Sequence, residues 1–572
     1  MILHALQEYY NRKAADPDSD IAPYGWEKKE IRFVITLDKA GQPIELADTE
    51  ETIQNKKKSQ TFLVPQSVKR TSGIASNLLW DTPAYALGVE PNGGTERTAK
   101  QFAAFKQRIV DLDLQTDAGI VAVLAFLNQD NPRAALEKFG EVWKQLSESG
   151  ANVTFRLQGD RGLVCNRPGV ESALNSSLDD KDQEICCLVT GEKDDLAITH
   201  PSIKGVWGAQ SSGANIVSFN KSSFESFNKK QGDNAPIGKK AAFAYTTALN
   251  HLLHKDSAQR MQVGDASTVF WSEKNSEFDA QFALLFSDPP KDNPDQHTQA
   301  VRALLNAPQT GALPETDDSG MFYVLGLSPN ASRISIRFWI AAPLRAMQNQ
   351  IREHFCDLEI VAGVRQQPVF SLFRLLCSTA PLGKSENIPP NLAGDFLRSI
   401  LEGQPYPATV LQAAVRRTKV ERDIPTIRAA LIKASINRNC RFRKTTNPKE
   451  LTVSLDINNP NIGYRLGRLF AVLEKIQEEA NPGIKNTIRD RFYAAASSAP
   501  VTVFGRLMTL KNHHLAKMEN PGRRINMERL IGEIVSGIQD FPAFLPLEDQ
   551  GRFAVGYYHQ RQDFFTTKEK QD

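Results

Sequence analysis

A change in hydrophobic period about two-thirds of the way along the chain limits what it can become. Before a cluster of Pro and Gly from Pro381 to Pro407, apolar residues recur at both strand and helix spacing. Beyond that cluster they recur mostly at helix spacing. Glu30 to Asp38 sets Ile31, Phe33, Ile35 and Leu37 on one strand face, and an Ala-Gly-Gln-Pro turn leads to a second strand around Ile44 and Leu46. Phe102, Phe105, Ile109 and Leu112 mark a helix from Ala99 to Thr116, with more helix through Glu148 and a strand from Asn152 to Leu157. A helix over Ala241 to Lys255 and a strand over Ser267 to Ser272 follow. Two more strands, Gly320 to Leu327 and Ser332 to Ile340, are joined by a Ser-Pro-Asn-Ala turn. After the cluster, Leu466, Leu469, Phe470, Leu473 and Ile476 form a helical stripe, and Thr502 to Met518, Asn526 to Ile538 and a final aromatic segment continue the pattern. The chain is predicted to be a multi-domain α+β protein, with a mixed body over 1–400 and a helical bundle over 401–572.

Length agrees, because 572 residues exceed what one hydrophobic core sustains. The six cysteines form no CxxC pair, which argues against a zinc ribbon or disulfide framework and favours a reducing cytoplasm. The first residues suit a short amphipathic helix carrying Ile2, Leu3, Leu6 and Tyr10, not a leader peptide. The longest apolar run, Ala118 to Leu127, is half of the roughly 20 residues a membrane helix needs, so no membrane span is expected.

The net charge of +3 says little as a total, but its distribution is uneven. From Asn55 to Ala75 there is no acid, while Lys56, Lys57, Lys58, Lys69 and Arg70 are basic. A positive cluster in a nearly neutral chain points to a polyanion. Gln60, Gln66, Thr71, Ser72 and Asn77 supply donors and acceptors suited to a base edge. Phe62 is either an aromatic wedge between bases or a core residue. The segment is expected to be a projecting loop after the first hairpin. A second basic region, Leu411 to Lys444, has ten basic residues against Glu421 and Asp423. Arg416, Arg417, Lys419, Arg422, Arg438, Arg441 and Arg443 are its candidates for a nucleic-acid backbone. Arg333 and Arg337 share a strand face that either grips phosphate or is merely solvated. Gln210, Ser211, Ser212 and Gly213 form a polar turn, either an ordinary one or one whose N–H groups approach a phosphate or a neighbouring protein.

Signals for catalysis are missing. His251 and His254 stand at i, i+3 without the intervening Glu of a metalloprotease helix, and the adjacent His513 and His514 face different ways. The glycines at Gly191, Gly205 and Gly208 fit neither a phosphate-binding loop nor a dinucleotide fingerprint. No cofactor or metal is expected. A standalone nucleic-acid-processing enzyme would need a carboxylate cluster for magnesium, and none stands out. A scaffold whose basic segments meet acidic proteins is the other alternative.

Many dispersed segments resemble the large subunit of the type I-C CRISPR Cascade surveillance complex. They are Arg70-Thr71-Ser72-Gly73 with Asn77, Trp80-Asp81, Tyr85 and Leu87-Gly88, then Cys187-Leu188-Val189-Thr190-Gly191, His200-Pro201 and Ile203-Lys204-Gly205-Val206. Ser211-Ser212-Gly213-Ala214, Val217-Ser218-Phe219-Asn220, Asn234-Ala235-Pro236, Tyr245 to Asn250, Phe322 to Asn330 and Arg337-Phe338-Trp339 follow in order. Leu466 to Ala471 and Phe553 to Arg561 resemble the helical small subunit of the same complex.

The resemblance implies a non-catalytic subunit placed beside the backbone and foot subunits that hold CRISPR RNA. It implies reading of a short motif, of TTC type, on target double-stranded DNA, followed by opening of the duplex and guidance of the displaced strand. It also implies a helicase-nuclease recruited in trans, and a small subunit made by internal translation of the same gene. Base pairing then reads the long sequence and protein reads only the short duplex motif.

Overall fold

The computed structural model describes residues 2–53, 56–68, 70, 73–90, 95–178, 184–286, 296–310, 320–363, 369–444 and 450–565. The chain divides into two compact units. Unit 1 comprises Met1–Ile203 and Ser212–His251, and unit 2 comprises Lys204–Ser211 and Leu252–Asp572.

Unit 1 begins with the expected helix, Ile2–Ala14. Its strands are β1 (Trp26–Glu30), β2 (Phe33–Leu37), β3 (Pro43–Asp48), β4 (Glu51–Ile53), β5 (Lys56–Lys58), β6 (Thr61–Pro65), β7 (Trp80–Asp81), β8 (Val153–Leu157), β9 (Glu184–Cys186) and β10 (Lys193–Asp195). The main sheet has the order β3-β2-β8-β7, with β2 and β8 parallel and the outer pairs antiparallel. Because β2 is interior to this sheet, all five of its residues are buried, where period-two reasoning assigns only one face. Helices Glu96–Val110 and Ala118–Leu127 supply Phe105 and Phe126, each with its ring 6.2 Å from that of Phe155 on β8. Side chains set their starts: Thr95 accepts from the Thr98 N–H, and Asp117 from those of Gly119 and Ile120. The longest apolar run is thus a core helix. Two ribbons, β1-β6 and β4-β5, complete the part of unit 1 that carries the basic segment.

Unit 2 contains an antiparallel meander of β11 (Arg260–Val263), β12 (Ala266–Ser272), β13 (Met321–Asn330) and β14 (Arg333–Pro343). The expected turn moves: Ser328 to Asn330 remain in β13, Asn330 pairs with Arg333, and the chain reverses through Ala331 at φ 52°. A register shift between Gly326 and Leu327 interrupts strict alternation along β14, leaving Ile336 41% exposed while Phe338 and Ile340 are buried.

One hydrophobic core runs from Met261 to Tyr558 and includes Ile400 and Leu401 at the end of helix Leu392–Leu401. The boundary drawn at 400 therefore falls inside unit 2. The switch of period there coincides with a change of element type within unit 2. Beyond it all regular structure among the described residues is helical, as expected. Helices Ile462–Ala480 and Leu547–Asp563 press together so closely that a Cβ on Gly467 would lie 2.0 Å from the Phe553 carbonyl oxygen. One on Gly556 would lie 2.2 Å from that of Tyr464. Among the described residues no helix is long and apolar enough to cross a membrane.

Candidate nucleic-acid interface

The segment expected as a projecting loop is largely strand. β5 pairs antiparallel with β4, setting Glu51 opposite Lys58 and Thr52 opposite Lys57. This ribbon presents Lys57 and Lys58 to solvent. Lys57 is 72% exposed and its Nζ lies 3.0 Å from a Glu50 carboxylate oxygen. Lys58 is exposed and makes no ion pair with a described residue. Gln60 is exposed beside them. Phe62 lies on β6 opposite Lys29 and packs half-buried against the core of unit 1, so core packing describes it and a free wedge does not. Gln66 is half-buried, with its backbone N–H on the Gly25 carbonyl oxygen. The Lys56 side chain and residues Lys69, Thr71 and Ser72 lie outside the described residues.

The following loop is organised around Asp81, whose side chain is fully buried. Arg70 donates to Asp81 through Nη2 and to the Ala75 carbonyl oxygen through Nε at 2.7 Å, and its guanidinium lies 4.0 Å from the Tyr85 ring centre. Asp81 also accepts the backbone N–H groups of Asn77 and Thr82, each at 2.8 Å. Asn77 is 5% exposed, and its Oδ1 accepts the Val68 N–H at 3.0 Å. Arg70 and Asn77, expected as phosphate and base contacts, are therefore committed to holding the loop. Buried polar groups need such partners, and the buried Asp81 and Asn77 find theirs within the protein. A cleft of about 620 Å³ opens beside the loop, lined by Gly73, Ile74, Thr95, Glu96, Arg97 and Lys100. Arg97 and Lys100 bring positive charge to it, with Lys100 paired to Glu96 at 2.7 Å.

Gln210, Ser211 and Ser212 are exposed and Gly213 has φ 89°. They follow a turn at Trp207–Ala209 and precede Ala214, which pairs with Ile203. Gln210 and Ser211 group with unit 2, and Ser212 and Gly213 with unit 1. Arg337 is paired with Asp265 at 2.7 Å.

The second basic region is mostly consumed by the fold. Arg438 is 3% exposed, lies 4.7 Å from the Tyr406 ring centre, and contacts Asp357 at 3.4 Å. Arg441 binds Asp357 at 2.6 Å, Glu353 at 3.2 Å and Glu450 at 3.4 Å. Arg443 meets Glu548 at 2.9 Å and Arg417 meets Glu421 at 3.9 Å. Lys419 donates to Gln550 at 2.7 Å, and burial lowers its pKa. Helix Thr426–Arg443 is buried around most of its circumference, and its Arg438, Arg441 and Arg443 meet carboxylates from distant segments. Of the residues assigned here to a phosphate backbone, Arg416 and Arg422 remain exposed without an ion pair to a described residue.

A third basic surface escapes a simple count of lysines and arginines. Residues 491–518 contain no acid, yet include Arg491, Arg506, Lys511 and Lys517. None of the four makes an ion pair with a described residue. On helix Phe504–Lys517 the exposed Arg506, His513 and Lys517 follow i, i+7, i+11 spacing, opposite the buried Phe504, Leu507 and Leu515. Arg491 and Arg506 both lie on the Phe492 ring, 5.3 and 5.6 Å from its centre. The missing acids were the available signal.

The fold is of α+β class, and cations with no ion pair to a described residue are exposed on a helix face and on a short ribbon. The chain belongs to the family described as CRISPR-associated protein (Cas_Csd1), whose model matches residues 6–565. No curated protein gives a significant match.

Proposed function

We propose that this CRISPR-associated protein is the DNA-facing, non-catalytic large subunit of an RNA-guided complex of the type I-C Cascade kind. The β4-β5 ribbon and the cleft beside the Arg70–Asp81 loop meet double-stranded DNA carrying a short TTC-type motif. Once the duplex opens, the displaced strand follows the cationic face of residues 491–518 and Arg416. Subunits carrying the CRISPR RNA supply sequence recognition, and a helicase-nuclease recruited in trans cuts.

The observation that carries this reading is the set of exposed cations that make no ion pair with a described residue, Lys58 in unit 1 and Arg491, Arg506 and Lys517 in unit 2. Cations left unpaired on a surface neutralise phosphates and release condensed counterions, which makes binding steeply salt-dependent. Family membership supports the setting. Fluorescence anisotropy with a motif-bearing and a scrambled duplex, across a salt series, tests it. We expect tighter binding to the motif duplex and a steep loss with salt. Equal, salt-insensitive binding would favour a protein scaffold, and metal-dependent cleavage by the purified chain would favour an enzyme.

A further inference from the structure

Phe227 is the most exposed large apolar side chain of the described residues, at 95%. It sits in an ordered turn. The Lys229 N–H donates to the Ser226 carbonyl oxygen at 2.9 Å, and the two residues between them, Phe227 and Asn228, have φ of 53° and 59°. Positive φ at both central positions is the pattern of a type I′ turn, which favours Asn and Gly and disfavours a bulky ring. Asn234 holds this conformation from below. Its Oδ1 accepts the Ser226 N–H at 2.9 Å, and its Nδ2 donates to the carbonyl oxygens of Lys229 and Gln231, each at 3.0 Å. A ring kept out of the core, on strained backbone fastened at three points, is poised for something outside the chain.

Its surroundings indicate what. Lys221, Lys229 and Lys230 are exposed and make no ion pair with a described residue, against Glu225 and Asp233 as the acids of the loop. An aromatic tip flanked by free cations matches a base step between two phosphate backbones better than an apolar protein pocket, where unpaired lysines would be desolvated.

We propose that Phe227 inserts between stacked bases of duplex DNA and helps separate them, while the flanking lysines hold the phosphates. This rests on the DNA-facing reading above and moves the wedge from Phe62, which the core occupies, to the 226–234 turn.

The test uses the full-length chain and motif-bearing duplexes with 2-aminopurine at successive positions across and beside the motif. We expect a fluorescence rise at one step with the natural chain, loss of that rise with Phe227→Ala and with Asn234→Ala, and its retention with Phe227→Trp. Alanine has the same left-handed penalty and removes no core contact, so Phe227→Ala should melt with the natural chain. A rise that survives in Phe227→Ala overturns the wedge and leaves DNA binding standing. If the natural chain does not bind DNA at all, both readings fall. If Phe227→Ala keeps the rise but no longer joins its complex, the ring serves a protein pocket and the proposal is overturned.

Discussion

Arg70 and Asp81 form an ion pair in which the carboxylate is fully buried and the guanidinium, about one-third exposed, covers the Tyr85 ring. The pair closes the loop that precedes β7. Removing either partner strands a charge or several backbone N–H groups. Arg70→Ala and Asp81→Ala should each destabilise unit 1 by about 3 kcal/mol, the low end for breaking a buried pair. Urea unfolding checks this. Unchanged midpoints would mean that the loop is held by something else.

Lys57 and Lys58 should behave in the opposite way. Both are exposed on the short β4-β5 ribbon, and among the described residues only Lys57 is ion-paired, to Glu50. The double variant Lys57→Ala/Lys58→Ala should unfold within about 0.5 kcal/mol of the natural chain, as surface changes do. Its affinity for duplex DNA should fall, with a log–log salt slope shallower by about 2.

Arg506 and Lys517 make a matched comparison with Arg438. Changing the first two to Ala should leave stability intact and reduce the salt slope for single-stranded DNA by about 1.4. Arg438→Ala should unfold unit 2 more easily, because Asp357 then loses a buried partner and the Tyr406 ring its cover. Thermal melts and anisotropy on the two variants separate the roles. A DNA-binding loss in Arg438→Ala with an unchanged melt would reverse the assignment.

His559 predicts a pH dependence. Its ring is fully buried, with Nδ1 3.0 Å from the Tyr464 hydroxyl, and burial, aided by Lys433, pushes its pKa down to about 3 while Asp456 opposes. The unfolded chain takes a proton near the ordinary value of 6.5, whereas the folded chain does not. The contribution is therefore fully present above pH 6.5 and is lost as pH falls toward 3, at up to about 1.4 kcal/mol per unit. Urea unfolding at pH 7.5, 6 and 5 should show that slope, and His559→Gln should flatten it.

What the sequence made legible was local. The helical stripe from Leu466 to Ile476 is the buried face of helix Ile462–Ala480, because helix period and apolar spacing lie within one element. The strand over Phe33 to Leu37 was legible too. Its burial on both faces was not, since that depends on β8, which lies beyond five helices in the chain.

Charge was the least legible property. Arg438 and Arg441 look like Arg416 on paper, and what separates them is Asp357, some 80 residues upstream. Asn77 likewise reads as a hydrogen-bonding group in a basic loop, and only the return of Val68 toward it shows that its oxygen is occupied. Local composition finds where cations are dense, but tertiary pairing decides which remain available. The 491–518 face could have been found by searching for missing acids.

The two glycine contacts between helices Ile462–Ala480 and Leu547–Asp563 carry one more consequence. The backbones meet without intervening side chains, so neither helix can be swapped for a looser neighbour. Any shorter polypeptide begun within the same reading frame would keep this seam only if it retained all of helix Ile462–Ala480. A start codon placed later would yield a product whose terminal helix has lost the groove it was shaped to fill.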